Sequence, residues 1–371
     1  MTSEIESAEV VVVGAGIVGL AHAYAALERG LSVAVVERDD RATGASVRNF
    51  GHGCVTAQDG VALEYGLAAR ESWLRLAKAA GFWVRDSGTV VVARDDDEYA
   101  VLEEFHALRD GQVTLLDAAA VAERVTTGPG VVGGALLPLD IRVDPREAVH
   151  AIAAWLAERG VRFHWGTTVH TVEPGLLGTS RGTIRAGKIV FAVGHNVDRH
   201  FPDLAEQAEV RRCALRMLRV EDPHGRPIDS AVLTGYSMLR YDGFAACASL
   251  PAMRARLTAE RPELIDIGLN LMFTQAPTGE LTIGDTHHYH RTLEPYDDDA
   301  LDAAVLAETA NLLGVPSLTV RQRWRGVYAS APAPFLIETP VDGVRVVSVT
   351  SGIGMTTALG LAPRVLENLV D

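Results

Sequence analysis

The string Gly14-Ala15-Gly16-Ile17-Val18-Gly19 constrains this chain more than any other feature. It follows an uninterrupted apolar run, Val10 to Val13, and opens onto a helical pattern from Ile17 to Arg29. A second apolar run, Leu31 to Val36, ends at Glu37. Strand, tight turn, helix, strand and closing acid together make the fingerprint of a dinucleotide-binding βαβ unit. Gly14 permits the turn, Gly16 lets backbone approach a pyrophosphate, and Gly19 lets helix and strand pack closely. The helix start offers unpaired N–H groups and a partial positive charge to phosphate. Glu37 stands where a ribose hydroxyl would donate to it. The plain alternative is an ordinary βαβ turn without a ligand.

A chain of 371 residues has room for about two domains. It is 48% hydrophobic and 22% charged, a balance that suits large cores in a globular protein. The formal charge of −14 repels phosphate backbones, so nucleic acid is not expected as a partner. A local basic pocket for a small anion is still compatible with that charge. No apolar run approaches the length of a membrane span. The acidic opening, Met1 to Glu9, lacks the basic and apolar regions of a signal peptide. Cys54, Cys213 and Cys247 are far apart and have no zinc spacing. Few cysteines favour a reducing compartment, and the expected location is cytoplasmic. No metal site is expected, and nothing in the sequence specifies an oligomeric state.

Further along, a helix is expected over 60–80 and a β-branched strand over Thr89 to Ala93. Asp95 to Leu108 reads as an exposed acidic helix. Asp144 is placed to cap a helix with Pro145 in its first turn and Gly160 past its end. Strands are expected at Val161 to Trp165, Val169 to Val172 and from Ala186 to the break at Gly194. From about 210 to 290 the pattern shortens to β-like stretches, Arg216 to Val220, Ser237 to Tyr241 and Leu281 to Ile283. Asp297 to Leu313 reads as a helix before Gly314. Val344 to Val349 is a last strand, leading through Gly352-Ile353-Gly354 into a helix over 356–369. Parallel-sheet signals thus sit at both ends and in the middle, with β-rich stretches between. The expected class is α/β. A Rossmann-like domain is assembled from the discontinuous segments 1–80, 140–210 and 325–371. An inserted α+β substrate domain, 81–139 and 211–324, contains a mixed or antiparallel sheet.

The order of these landmarks resembles the D-amino-acid oxidase superfamily of FAD-dependent amine oxidoreductases, which includes glycine oxidase and monomeric sarcosine oxidase. The resemblance covers nearly the whole chain. It rests on Val10 to Arg38, Gly44 to Gly51, Val143 to Val169 with Ile189 to Gly194, and Val346 to Ala362. More narrowly, the chain looks like a subgroup tied to aminophosphonate breakdown. The strings that carry this are Ser46-Val-Arg-Asn-Phe-Gly51, Ser237-Met-Leu-Arg-Tyr241, Gly284-Asp-Thr-His-His-Tyr289 and Trp324-Arg-Gly-Val-Tyr-Ala-Ser330. The resemblance implies noncovalent FAD. It puts Gly14, Gly16, Ile17 and Val18 on the diphosphate, Glu37 on the ribose and Arg38 near the adenine. Ala45, Ser46, Arg48 and Asn49 would line the diphosphate and flavin. Val169 would meet the adenine through its backbone, with Ala192 and Gly194 beside the adenosine half. Gly352, Gly354, Met355 and Thr356 would surround the flavin pyrimidine, where a helix amino end stabilises charge on the reduced ring.

What the resemblance implies for chemistry is hydride transfer to flavin N5 from the carbon next to an amine, followed by hydrolysis of the imine. The electron acceptor would be oxygen or a carrier. The expected substrate is a small anionic amine, an aminoalkylphosphonate or its N-alkyl derivative. In glycine oxidase-like relatives an arginine shortly after a Trp-x-Gly motif pairs with the substrate carboxylate. Here Tyr328 stands in its place after Trp324-Arg325-Gly326. An oxidase or dehydrogenase of glycine, sarcosine or a D-amino acid is the rival within the class. A non-catalytic dinucleotide-binding protein and an NAD-dependent dehydrogenase are the rivals outside it.

Substrate-facing candidates follow from residue chemistry. His287 and His288 fall where a strand should end at the flavin, and either could take an amine proton or bind a phosphonate. The plain alternative is a surface pair. Tyr328 could hydrogen-bond the substrate anion or pack in the core. Arg240 and Tyr241, expected to end a strand, could hold the anion through a planar guanidinium fork. The alternative for Arg240 is a solvated strand end. His52 lies on the cofactor loop and is a further substrate-side candidate. Arg321, Arg323 and Arg325 alternate, so a strand would turn them to one face, solvated or anion-binding. The acid triplets Asp95 to Asp97 and Asp297 to Asp299 are read as helix starts rather than metal ligands.

Overall fold

The computed structural model describes residues 4–370. Among these, sixteen strands join in one mixed sheet and three form a small second sheet. The parallel part is built on the Glu4–Val13 strand, flanked by Val33–Val36 on one side and Gly182–Phe191 on the other. Arg162–His164 extends it beyond Val33–Val36, and Val344–Ser351 extends it beyond Gly182–Phe191, again in parallel.

Val10 to Val13 are buried on both faces, which is why this run does not alternate with polar residues. Val10 and Val12 pack into one apolar cluster with the helices Ile17–Glu28, Gly60–Ala80, Pro145–Glu158 and Gly354–Val370. Val11 and Val13 point the other way, against Ile189, Phe191 and Val346. The expected helix signals are met in detail. Asp144 accepts the Arg146 N–H at 2.9 Å, and Gly160 follows the same helix with φ +91°. No helix among the described residues is long and apolar enough to cross a membrane.

Past Val344–Ser351 the pairing is antiparallel except between Ala231–Leu233 and Thr89–Ala93, which run parallel. The 22-residue strand Val320–Val341 pairs with Arg211–Val220, which pairs in turn with Leu281–Gly284 and His288–His290. Met272–Gln275, Ala231–Leu233, Thr89–Ala93, Gly133–Leu137 and Thr114–Asp117 complete the row. A second large apolar cluster covers this half, built on Val90 to Val92, Phe105, Leu218, Phe244 and Phe273. The expected break at 324/325 falls inside the single Val320–Val341 strand, which is paired in both halves of the sheet.

Two expectations need correction. Ser237 to Tyr241 is not a strand. Thr234 and Ser237 form a capping box that winds Gly235–Met238 into a helical turn, and Arg240 and Tyr241 leave it as a loop. The Asp96–Leu108 helix is not simply exposed, because Val101, Leu102 and Phe105 are fully buried and Glu98 is buried against Arg256.

Candidate active site

Three parallel strands release the chain on one side of the sheet. Val13 lies beside Phe191, and Phe191 beside Val346, so their carboxyl ends lead to Gly14, Ala192 and Gly352. A crevice at the carboxyl ends of such strands is where this architecture binds ligands. A cavity of about 470 Å³ opens there.

Its first wall is the Gly14–Gly19 turn. Gly14 has φ +102°, and a Cβ there would strike the Ala192 carbonyl oxygen. A Cβ on Gly19 would strike the Gly14 carbonyl oxygen, so the helix start can press on the strand only with glycine there. Glu37 holds the turn from the next strand. Its Oε2 accepts the Ala15 N–H at 2.8 Å and its Oε1 accepts the Asp39 N–H at 3.1 Å. A carboxylate can accept about four hydrogen bonds, which leaves capacity for a ribose. Ser46 Oγ accepts the Ile17 N–H at 2.8 Å and ties the following loop to the helix start. Asn49 braces that loop, donating to the Ala45 and Ser46 carbonyls and accepting from Gly51 N–H.

The opposite wall is the amino end of Gly354–Val370. Trp73 Nε1 donates to the Met355 carbonyl at 2.8 Å, and Thr356 Oγ1 accepts the Cys54 N–H at 3.1 Å. Gly352, at φ +77°, lies under the Tyr328 ring, where a Cβ would come within 3.0 Å of it. Arg38, Arg48, Val169, Ala192 and Gly194 line the same cavity, as do Val18, Gly16 and Gly354. The sites named from sequence for a dinucleotide, far apart along the chain, thus face one space. Two helix amino ends, an acid at the ribose position and backbone kept bare by glycine make a donor set suited to FAD. Gly14, Gly16, Ile17 and Val18 would hold its diphosphate, and Gly352 to Thr356 its flavin pyrimidine.

The remaining lining belongs to the antiparallel half. Leu215 and Met217 supply apolar surface, and Arg240, Tyr241, Asp285, His287 and Tyr328 supply polar groups. Arg240 Nη2 donates to the Tyr289 hydroxyl at 2.7 Å. His287 Nδ1 lies 2.9 Å from the Gly268 carbonyl, so the proton sits on Nδ1 and Nε2 is bare. Burial and the Arg240 charge push the His287 pKa down to about 3, and the ring is neutral. Burial raises the phenols of Tyr241 and Tyr328 well above their usual range. His288 is a correction. Strand alternation turns His287 and Tyr289 toward each other and leaves His288 off the cavity wall.

Asp285 and Asn270 were not singled out from the sequence. The signal available was an acid directly after the β-like stretch Leu281 to Gly284, inside a string where the histidines drew attention. The alternating arginines are not an anion site. Arg321 pairs with Glu221, Arg323 with Asp302 and Arg325 with Asp297. Asp298 caps the Asp299–Leu313 helix as its position implies.

His52 also lines the cavity, from a buried group with Cys54 and Asp140. Its Nε2 is 2.7 Å from Thr89 Oγ1 and 3.4 Å from Asp140 Oδ2. Asp140 Oδ1 accepts the Val55 and Thr56 N–H groups at 2.9 Å each. One donor atom from each of the three lies within 4.8 Å of the others, a spacing that could hold a cation. Burial and the Asp140 charge hold the Cys54 thiol well above its usual range, so it is a neutral thiol here.

Comparison with known proteins agrees with this geometry. The chain is 27% identical over 314 residues to a D-amino acid dehydrogenase of Cereibacter sphaeroides, covering 80% of this chain and 64% of that protein. It is 26% identical over 219 residues to one of the polypeptides of opine oxidase from Rhizobium meliloti, covering 52% of this chain and 58% of that one. The matches thus span about three-fifths of the length of these relatives. Glycine oxidase from Bacillus cereus superposes with a TM-score of 0.78 at 18% identity, covering 98% of this chain and 94% of that chain. Residues 9–367 match the FAD dependent oxidoreductase family, and with glycine turns, acid and closing helix all on one cavity, the chain belongs to that family.

Proposed function

We propose that this protein oxidises a small anionic amine, an aminoalkylphosphonate or its N-alkyl derivative, with noncovalently held FAD. FAD, when bound, supplies the hydride acceptor. The chain's own residues orient the substrate, keep water from it and manage its charge. Oxidation gives an imine that water hydrolyses, and oxygen or an electron carrier takes the electrons. The segments 1–80, 140–210 and 325–371 form the cofactor half, and 81–139 with 211–324 form the substrate half.

The observation that carries this reading is Arg240. Arg240 lines the cavity, and among the described residues the one hydrogen-bond partner of its guanidinium is the Tyr289 hydroxyl. A guanidinium with no carboxylate hydrogen-bonded to it, facing a cavity with apolar walls, is suited to an anionic ligand. Tyr328 beside it can donate to the same anion. A phosphonate offers three oxygens to this set.

A carboxylate would also satisfy Arg240, and D-amino acid dehydrogenase is the name of a relative. Oxidation of glycine, sarcosine or a D-amino acid is therefore the second reading. Both are tested by mixing the flavin-loaded protein with each class of amine without oxygen and following the loss of flavin absorbance. Bleaching by aminoalkylphosphonates is expected. Bleaching confined to glycine or D-alanine would replace the first reading by the second. A purified protein without flavin absorbance that takes up no FAD would remove both.

A further inference from the structure

Two groups of opposite charge line the substrate half of the cavity, and Arg240 is one of them. The other is Asp285, directly after the Leu281–Gly284 strand. Its backbone is held by reciprocal hydrogen bonds with Asn270, 2.8 Å each way. Its carboxyl is buried, receives the Asn270 side chain, and has no hydrogen-bond partner at Oδ1. His287 Nε2 lies 4.0 Å from Oδ2, and the charge of Arg240 also acts on the carboxyl. A buried carboxyl left short of donors is costly unless something completes it. A cationic amine in the cavity that Asp285 lines would offset the cost of its charge.

If Arg240 takes the anionic end of the substrate, the amine end meets Asp285 and His287. His287 is the poorer acceptor, since it is already neutral at a pKa of about 3. Burial pushes Asp285 up to about 7 against the pull of Arg240 and the Asn270 hydrogen bond. An acceptor of that strength is matched to work near neutral pH. The groups facing it do not change charge there. Arg240 stays cationic, Tyr241 and Cys213 are raised by burial and stay neutral, and His287 stays neutral.

We propose that Asp285 receives the proton that the substrate's ammonium group gives up before oxidation, an inference that rests on the amine-oxidising reading above. The N–H bond breaks, its electron pair stays on nitrogen, and an O–H bond forms on the carboxylate. The neutral amine then has the lone pair that assists departure of hydride from the adjacent carbon.

The test uses the flavin-loaded protein, wild type and Asp285→Asn, each checked for flavin content. Anaerobic bleaching by 2-aminoethylphosphonate is followed from about pH 6 to about pH 9. Wild type should speed up through an inflection near the Asp285 pKa of about 7. Asp285→Asn should be slower by about 100-fold at neutral pH, the scale of general-base catalysis. It should lose the inflection and recover about tenfold per pH unit as free amine becomes available. Asp285→Glu should restore part of the neutral rate. A second readout needs no turnover. 2-Amino-2-methylpropylphosphonate has no C–H beside nitrogen, and its affinity is compared by calorimetry with that of 2-methylpropylphosphonate. The amine should strengthen binding about tenfold in wild type at about pH 8, and not in Asp285→Asn. An unchanged inflection in Asp285→Asn, or a loss equal at every pH, overturns the role of Asp285 alone. Wild type that no amine bleaches ends the amine-oxidising reading and this inference with it.

Discussion

At the scale of single residues, the cavity separates groups that hold charge from groups that have given it up. Arg240 keeps its charge, whereas His287, Tyr241 and Tyr328 are all held neutral by burial. Removing Arg240 should therefore act on binding of the anion. A hydrogen bond to a charged group contributes about 1.5–3 kcal/mol, or roughly 10- to 100-fold in affinity. Arg240→Ala should raise KM for an anionic amine by that factor and lower kcat less, measured by steady-state kinetics. Arg240→Lys should recover only part, because a point charge cannot replace the planar fork. Arg240 was singled out in the sequence for its planar fork, and it does line the cavity, though from a loop and not from the strand end expected. Asp285 was not, because an acid after a strand most often faces water. Its character comes from burial, against the pull of Arg240 and Asn270, which reach it from other parts of the chain.

The elements were legible where local chemistry and tertiary packing agree. The Gly60–Ala80 helix, the Thr89–Ala93 strand and the Asp144 cap all fall where residue patterns place them. The exception is Ser237 to Tyr241, where a mixed apolar and polar string concealed the Thr234–Ser237 capping box. The long Val320–Val341 strand was also unreadable as one unit, since it carries three prolines, Pro332 and Pro334 at one of its register shifts and Pro340 at another. Glycine substitutions separate the kinds of constraint on these turns. Gly14→Ala adds a Cβ against the Ala192 carbonyl at a positive φ, and it should abolish FAD retention. Gly30→Ala also sits at positive φ, +76°, yet its Cβ would meet nothing within 4 Å. It should cost about 1 kcal/mol of stability and leave FAD bound. Flavin absorbance after gel filtration and a denaturation curve distinguish the two. Asp144→Ala should likewise cost about 1 kcal/mol through loss of a cap, with flavin content unchanged.

For the whole molecule, the sheet order explains why distant stretches share one site. Parallel pairing of Glu4–Val13 with Gly182–Phe191, and of that strand with Val344–Ser351, brings residues near 14, 192 and 352 to one edge. The motifs could be read singly, but their convergence depends on strand pairing across about half the chain. The same burial that builds the site sets how stability depends on pH. His22 is fully buried in the Ile17–Glu28 helix, with Nδ1 2.7 Å from the Val18 carbonyl. Burial pushes its pKa down to about 4, and His195 and His287 are pushed down to about 4 and about 3. In each case the unfolded chain binds a proton that the folded one refuses. Their contribution is complete above the ordinary histidine pKa of about 6.5 and is lost as pH falls toward about 4. His200 and His288 are also lowered by burial and act the same way, whereas Asp285, raised to about 7, and Glu98, raised by burial, work in the opposite direction. Urea unfolding of the FAD-free protein should therefore show a midpoint that drops between about pH 6.5 and about pH 4.5. His22→Gln should lower the midpoint at neutral pH by disturbing the packing, yet flatten its pH dependence. A variant whose midpoint falls with pH as steeply as wild type would show that His22 is not among the groups responsible.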